Sequence, residues 1–307
     1  MSVVVLAGGT GGAKLARGLL DVVDAGTLTV IANTGDDLEI YGAHVSPDPD
    51  LITFWLADRI DDRGWGLEGD TFNVMDGLRA LGVDVWFNLG DQDLAVCIER
   101  RRRLDDGERL TDVLAGLAAA LGVRATVLPM CDEIVRTRVK AAGRWWPFQD
   151  FMIRHGAQGP VEDVALDGVD AATASPEVLS AIAGASAVII GPSNPVISIR
   201  PILDVPGIRE ALLATAAPVV AVSPIVGGTV VKGPTEPFMD WAALPLSAEG
   251  IAQAYDGLLD GLVADEEAPG TGLPVMVTDT MMGDSGARAR VARTTLDFAR
   301  GLAGGVR

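Results

Sequence analysis

Five apolar residues, Val3-Val-Val-Leu-Ala7, run straight into Gly8-Gly-Thr-Gly-Gly-Ala-Lys14, and this junction constrains the fold more than any other segment. The run is β-branched, too short for a helix and apolar on both faces, which reads as a strand buried in a parallel sheet. Leu15, Ala16, Leu19, Leu20 and Val23 recur at helical spacing and predict a helix over Ala13–Val23. Glycines let the backbone approach a ligand closely, and a helix N-terminus carries partial positive charge. Strand, glycine turn and helix therefore suit a phosphate. The turn matches no standard fingerprint. Gly9-x-Gly11 begins a dinucleotide pattern, but Lys14 replaces the third glycine, and Ala13-Lys14-Leu15 lacks the hydroxyl of a P-loop.

The same rhythm continues. Strands are predicted at Leu28–Ala32, Val83–Leu89, Arg124–Pro129, Ala187–Ile190, Val219–Val222 and Val275–Thr278. Helices are predicted near Asp50–Arg59 and Phe72–Leu81, then over Leu110–Leu121, Pro206–Ala216, Ala248–Val263 and Ser285–Leu302, with another opening at Ser175-Pro176. This alternation implies a Rossmann-like doubly wound α/β fold, a mostly parallel sheet with helices on both faces. Residues 133–185 break the pattern: Glu133–Lys140 alternates, the aromatic cluster Trp145–Phe148 follows, and a helix is expected over Gln149–Arg154. The expected organisation is a core of residues 1–132 and 186–307, with 133–185 a smaller inserted region contributing to a ligand pocket.

Composition excludes several roles. The 307 residues carry 24 Lys and Arg against 42 Asp and Glu, a net charge of −18, so a nucleic-acid partner is not expected. An anionic ligand would need local devices: backbone amides, a few cations or Mg²⁺. The lysines are Lys14, Lys140 and Lys232; Lys14 reads as functional, while Lys232 fits a ligand contact and an ordinary loop equally well. No apolar run approaches the roughly 18 residues of a membrane span, and no basic segment precedes the first strand, so neither membrane nor signal peptide is expected. Cys97 and Cys131, at no metal-ligand spacing, read as core thiols of a cytoplasmic protein.

Ligands of such sheets bind beyond the carboxyl ends of the strands. Those ends are rich here: the glycine turn, Asn33-Thr-Gly-Asp-Asp-Leu-Glu39, Asn88-Leu-Gly-Asp91, Gly191-Pro-Ser-Asn-Pro195 and Ser223-Pro-Ile-Val-Gly-Gly228. Asp36 and Asp37 form an adjacent pair suited to Mg²⁺ or a sugar, where a nicotinamide site would place one acid. Ser46-Pro-Asp-Pro-Asp50 holds two more carboxylates between prolines that fix the backbone. Asp50 fits a helix cap or a metal ligand; Asp48 is the better site candidate, as metal ligand or as a group positioning a nucleophilic hydroxyl. His44 lies nearby and His155 reads as a helix end; no Ser-His-Asp triad is supported. Ser193 and Asn194 could bind a nucleotide or phosphate, or serve as turn residues.

Taken together, these motifs, with His44-Val-Ser-Pro-Asp48-Pro-Asp50 and Trp86-Phe-Asn-Leu-Gly-Asp91, resemble the 2-phospho-L-lactate transferase / phosphoenolpyruvate transferase family of coenzyme F-420 biosynthesis over essentially the whole chain. The resemblance implies a homodimer that uses Mg²⁺ to move a phosphoenolpyruvyl or 2-phospholactyl group from a guanosine-diphospho donor to the deazaflavin Fo, releasing GMP. It implies deazaflavin contacts at Asp48 and Asn88, the latter standing where many members have a basic residue. Gly9, Thr10, Gly11, Gly12 and Lys14 are then expected at the donor phosphates, with Asn33, Ser193 and Asn194 as further binding residues and Asp36, Asp37 and Asp50 at Mg²⁺. Asp48 would hold or deprotonate the incoming hydroxyl. The alternative is a YvcK-like nucleotide-sugar-binding regulator without turnover, although its usual second motif differs from Asn33-Thr-Gly-Asp-Asp37.

Overall fold

The computed structural model describes residues 1–231 and 233–303. Seven strands form the central sheet: β1 (Val3–Ala7), β2 (Leu28–Ala32), β3 (Thr126–Pro129), β4 (Ala187–Ile190), β5 (Val219–Val222), β6 (Gly261–Ala264) and β7 (Val275–Val277). Their spatial order is β7-β6-β5-β4-β1-β2-β3, and every neighbouring pair is parallel. The order reverses between β1 and β4, the position at which an open α/β sheet leaves a crevice for a ligand.

Alternation along β1 builds both halves of the core. Val3, Val5 and Ala7 pack on one face with Leu15 and Leu19 of α1 (Gly9–Leu19), Ile52 of α2 (Pro47–Leu56) and Leu296 of a C-terminal helix over Ser285–Ala303. Val4 and Leu6 point the other way, toward Val178, Ile182, Ile208 and Ile251 on three further helices. All five β1 residues are buried, which is why the strand is a continuous apolar run instead of an alternating one.

Two long crossovers carry what the core lacks. Between β2 and β3 lie a hairpin (Leu38–Ile40 with Ala43–Val45), α2, and a helix α3 over Asp91–Asp105. Between β3 and β4 a three-stranded antiparallel sheet pairs Arg136–Ala141 with Arg144–Pro147 and Asp163–Asp167. This small sheet leans on the acidic loop after β2: Thr137 N donates to Gly35 O at 2.7 Å and Gln149 Nε2 to Asp36 O at 3.4 Å. The aromatics of the Trp145–Phe148 cluster are engaged within this region. Trp146 stacks on His155 at 4.9 Å and under the Arg144 guanidinium at 4.0 Å, while Phe148 is buried beside Phe151.

Two expectations need correction, and one helix was not expected. Val83–Leu89 is not a strand and joins no sheet; Val85, Phe87 and Leu89 pack with Met75, Leu94 and Cys97 of two helices and with Ala43 and Val45 of the hairpin. The helix predicted over Ala248–Val263 stops at Ala254, Gly257 turns the chain at φ +74°, and Gly261–Ala264 is β6. Helix α3 was unforeseen because its buried stripe is Leu94, Cys97 and Arg100, one member of which is a cation. Both cysteines are buried, as expected. Among the described residues no helix is long and apolar enough to cross a membrane.

Candidate active site

The loops after β1 and β4 meet where the strand order reverses. α1 starts at Gly9, earlier than its apolar spacing suggested, and Gly8 N donates to Ser193 Oγ at 3.3 Å. A Cβ on Gly11 would sit 1.9 Å from Pro192 O, so this glycine is required by packing of the helix against the loop. Ser193 and Asn194 thus have structural tasks: Asn194 Oδ1 accepts from Val196 N and Ile197 N at 2.9 and 3.2 Å.

Asp48 occupies the first turn of α2, aimed back at the glycine turn. Its Oδ1 accepts from Gly9 N at 2.7 Å and its Oδ2 from Asn33 Nδ2 at 2.9 Å. Asn33 is itself fully buried, and its Oδ1 accepts from Gly35 N at 2.8 Å. Burial pushes the Asp48 carboxyl up to about 6, against the lowering pull of the Asn33 and Gly9 bonds. Asp36 lies beside it. Burial, and then the charge of Asp48, hold Asp36 well above the usual carboxylate range, and its Oδ1 finds no hydrogen-bond partner among the described residues.

The other two expected metal ligands are engaged elsewhere. Asp37 accepts from Ser46 Oγ at 2.7 Å and faces His44 Nε2 at 3.1 Å. Asp50 is ion-paired to the fully buried Arg100 of α3, whose Nη1 also donates to His44 O at 2.8 Å. Asp50 thus already faces a cation, and the Ser46 and His44 contacts of Asp37 tie the hairpin to the Asp48 turn. Asp36 and Asp48 remain. Two adjacent buried carboxyl groups, one with an unmet oxygen, fit a hard divalent cation that would hold both ionised and complete its shell from substrate phosphate.

This assignment has a stability signature. A carboxyl whose folded pKa is raised penalises the native state once pH exceeds its unfolded value of about 4, and the penalty grows until pH passes the folded value. Asp36→Asn, freed of Mg²⁺ with EDTA, should therefore melt above wild type at pH 8 and level with it near pH 4. Mg²⁺ should raise the melting temperature of wild type much more than that of the variant. Equal Mg²⁺ stabilisation of both proteins would remove Asp36 from the metal site.

At the start of α1 a cleft opens, lined by Thr10, Gly11 and Lys14 together with Ser223, Thr280 and Met281. Lys14 Nζ lies 5.8 Å from the Trp55 ring centroid. Buried polar atoms without partners gather on this edge: Thr34 Oγ1 and Asp36 Oδ1 after β2, Asn194 Nδ2 after β4, Asp265 Oδ1 after β6 and Thr280 Oγ1 after β7. Native interiors leave few such atoms, and an absent ligand or ion is one reason they occur. Asn88 is not drawn in; it is exposed and its Oδ1 accepts from Arg79 Nη2 at 2.7 Å. Lys232 lies outside the described residues. Arg100 and Thr280 are the residues that sequence reasoning missed. Nothing in the run Arg100-Arg-Arg-Arg103 singles out the first, and Thr280 lies past the last predicted strand.

The strand order, the glycine turn and the carboxylate pair together define a Rossmann-like α/β protein with a ligand crevice at the reversal point. More particularly, the chain belongs to the family described as "2-phospho-L-lactate transferase CofD", whose sequence model matches residues 3–275. It is 40% identical over 264 residues to the 2-phospho-L-lactate transferase of Methanosarcina mazei, covering 86% of each chain. It is 38% identical over 313 residues to the phosphoenolpyruvate transferase of Streptomyces griseus, covering 97% of this chain and 98% of the relative. Among solved structures, a UPF0052 family member from Bacillus halodurans has the same fold, with a TM-score of 0.65 at 18% identity over 96% of this chain and 98% of that one.

Proposed function

We propose that this transferase moves a phosphoenolpyruvyl group from a guanosine-diphospho donor to the deazaflavin Fo in a Mg²⁺-dependent reaction that releases GMP. The observation that carries the reading is the buried Asp48 carboxylate, fixed by Gly9 N and Asn33 Nδ2 beside the unpaired Asp36 oxygen. The enolpyruvyl donor is preferred over the lactyl one because the phosphoenolpyruvate transferase of S. griseus aligns over 97% of the chain, against 86% for the M. mazei enzyme.

The ribityl terminal hydroxyl of Fo attacks the phosphorus that bears the enolpyruvyl group. A new O–P bond forms, the bond from that phosphorus to the bridging oxygen breaks, and GMP departs with the bridging oxygen. Asp48 accepts the hydroxyl proton; its two hydrogen bonds hold both oxygens in place, so little motion is lost at the moment of transfer. The glycine turn and Lys14 receive the donor phosphates. Mg²⁺, held by Asp36 and reachable by Asp48, would neutralise phosphate charge that a chain of net −18 otherwise repels. Catalysis of this kind depends on positioning and charge neutralisation more than on covalent help.

Purified protein incubated with Fo, Mg²⁺ and enolpyruvyl-diphosphoguanosine should yield an Fo adduct and GMP by mass spectrometry, with the lactyl donor slower in parallel and EDTA abolishing both. Absence of adduct from either donor, together with tight binding of a uridine-diphospho sugar, would overturn the reading in favour of a nucleotide-sugar-binding regulator.

A further inference from the structure

Resting on the donor reading above, we propose that Thr280 binds the donor's diphosphate from a loop that Arg290 holds in place. Thr280 follows β7 and lies beyond the residues 3–275 that the family model matches. It lines the same cleft as Thr10, Gly11 and Lys14. Its side chain is 4% exposed, and Oγ1 has no hydrogen-bond partner among the described residues. A buried, unpaired hydroxyl is a standing cost that an apolar residue of the same shape avoids, so its presence beside a cation and a glycine turn points to a ligand that meets it. Threonine's hydroxyl and methyl exchange places on rotation about χ1, so whichever group faces the cleft in the free protein, the hydroxyl has access to it.

The loop is braced on both sides of Thr280. Arg290 Nη2 donates to Asp279 Oδ2 at 2.8 Å and to Met281 O at 3.3 Å, and Nη1 bonds Asp279 O. Asp279 Oδ1 in turn accepts from Met281 N at 2.9 Å. The hydroxyl is therefore presented on a backbone already ordered, and binding need not pay to order it. The rest of the cleft lining decides the ligand chemistry. Lys14 and a glycine-rich helix start are devices that favour an anion over an uncharged base.

Thr280→Val and Thr280→Ser in the full chain would be titrated calorimetrically with GDP and with inorganic pyrophosphate, each with Mg²⁺. Thr280→Val should weaken both ligands by about tenfold or more, the scale of one hydrogen bond to a charged group, while Thr280→Ser stays within about twofold. Ligand-free Thr280→Val should melt at or above wild type, a result that a purely structural hydroxyl would reverse. Unchanged affinity for both ligands overturns the inference. Weakened GDP with unchanged pyrophosphate also overturns it, since the hydroxyl would then meet the nucleoside. Wild type that binds neither ligand overturns the donor reading itself, and this inference with it.

Discussion

Asp48→Asn should fold normally and lose turnover by about 10²-fold or more, the usual scale of a positioned general base. The amide keeps the size of the side chain, and its Oδ1 can still accept from Gly9 N. Its Nδ2 must then face the Asn33 amide, donor against donor, where a carboxylate oxygen now accepts at 2.9 Å. That clash costs some stability but leaves the core untouched. In wild type the base must be ionised. Burial raises its carboxyl to about 6, so metal-free Asp48 charges between about pH 5 and 7, and a bound cation would move that range downward. Turnover should accordingly fall on the acid side of neutrality. Single-turnover rates for the variant at saturating donor and Fo are the direct check; a rate near wild type would remove Asp48 from the chemistry.

Arg100→Met should destabilise the protein by about 3–5 kcal/mol, because it leaves Asp50 charged and buried without its partner. Against an ordinary unfolding free energy of about 5–15 kcal/mol this is a large share of the total stability. The same guanidinium holds His44 O at 2.8 Å, so the hairpin strand and the Asp48 turn should loosen together. Arg100→Met combined with Asp50→Asn removes both charges and should recover most of the loss in urea denaturation. If Asp50 were instead a metal ligand, the double variant would refold without regaining Mg²⁺-dependent stabilisation. On the geometry described here it regains both, with reduced turnover because the Asp48 turn has lost its brace.

What could be read in advance divides along physical lines. β1, β2 and β4 were legible because a strand buried on both faces is an unbroken apolar run, and the glycine turn after β1 has few other uses. Val83–Leu89 shows the limit: a mostly apolar run, interrupted by Asp84 and Asn88, is as well satisfied by packing on Met75 and Leu94 as by strand neighbours, and composition does not distinguish the two. The acids of the site were visible, but their division of labour was not. Asp50 and Asp48 are two residues apart, and only the arrival of Arg100 from a helix 50 positions later makes one a brace and leaves the other facing the glycine turn. Thr280 escaped notice for a related reason: its significance lies in having no partner, a property that no stretch of sequence displays.

The placement of β1 between β2 and β4 has a consequence for synthesis. Until residues 187–190 leave the ribosome, β1 has a neighbour on one side only, and its other edge offers an open row of backbone donors and acceptors flanked by bare Val and Leu. At roughly 5–20 residues per second, the stretch from Pro129 to Ala187 keeps that edge open for several seconds. An unpaired apolar edge is a template for the wrong strand. The nascent N-terminal half should therefore be a chaperone client, and chains truncated before β4 should aggregate.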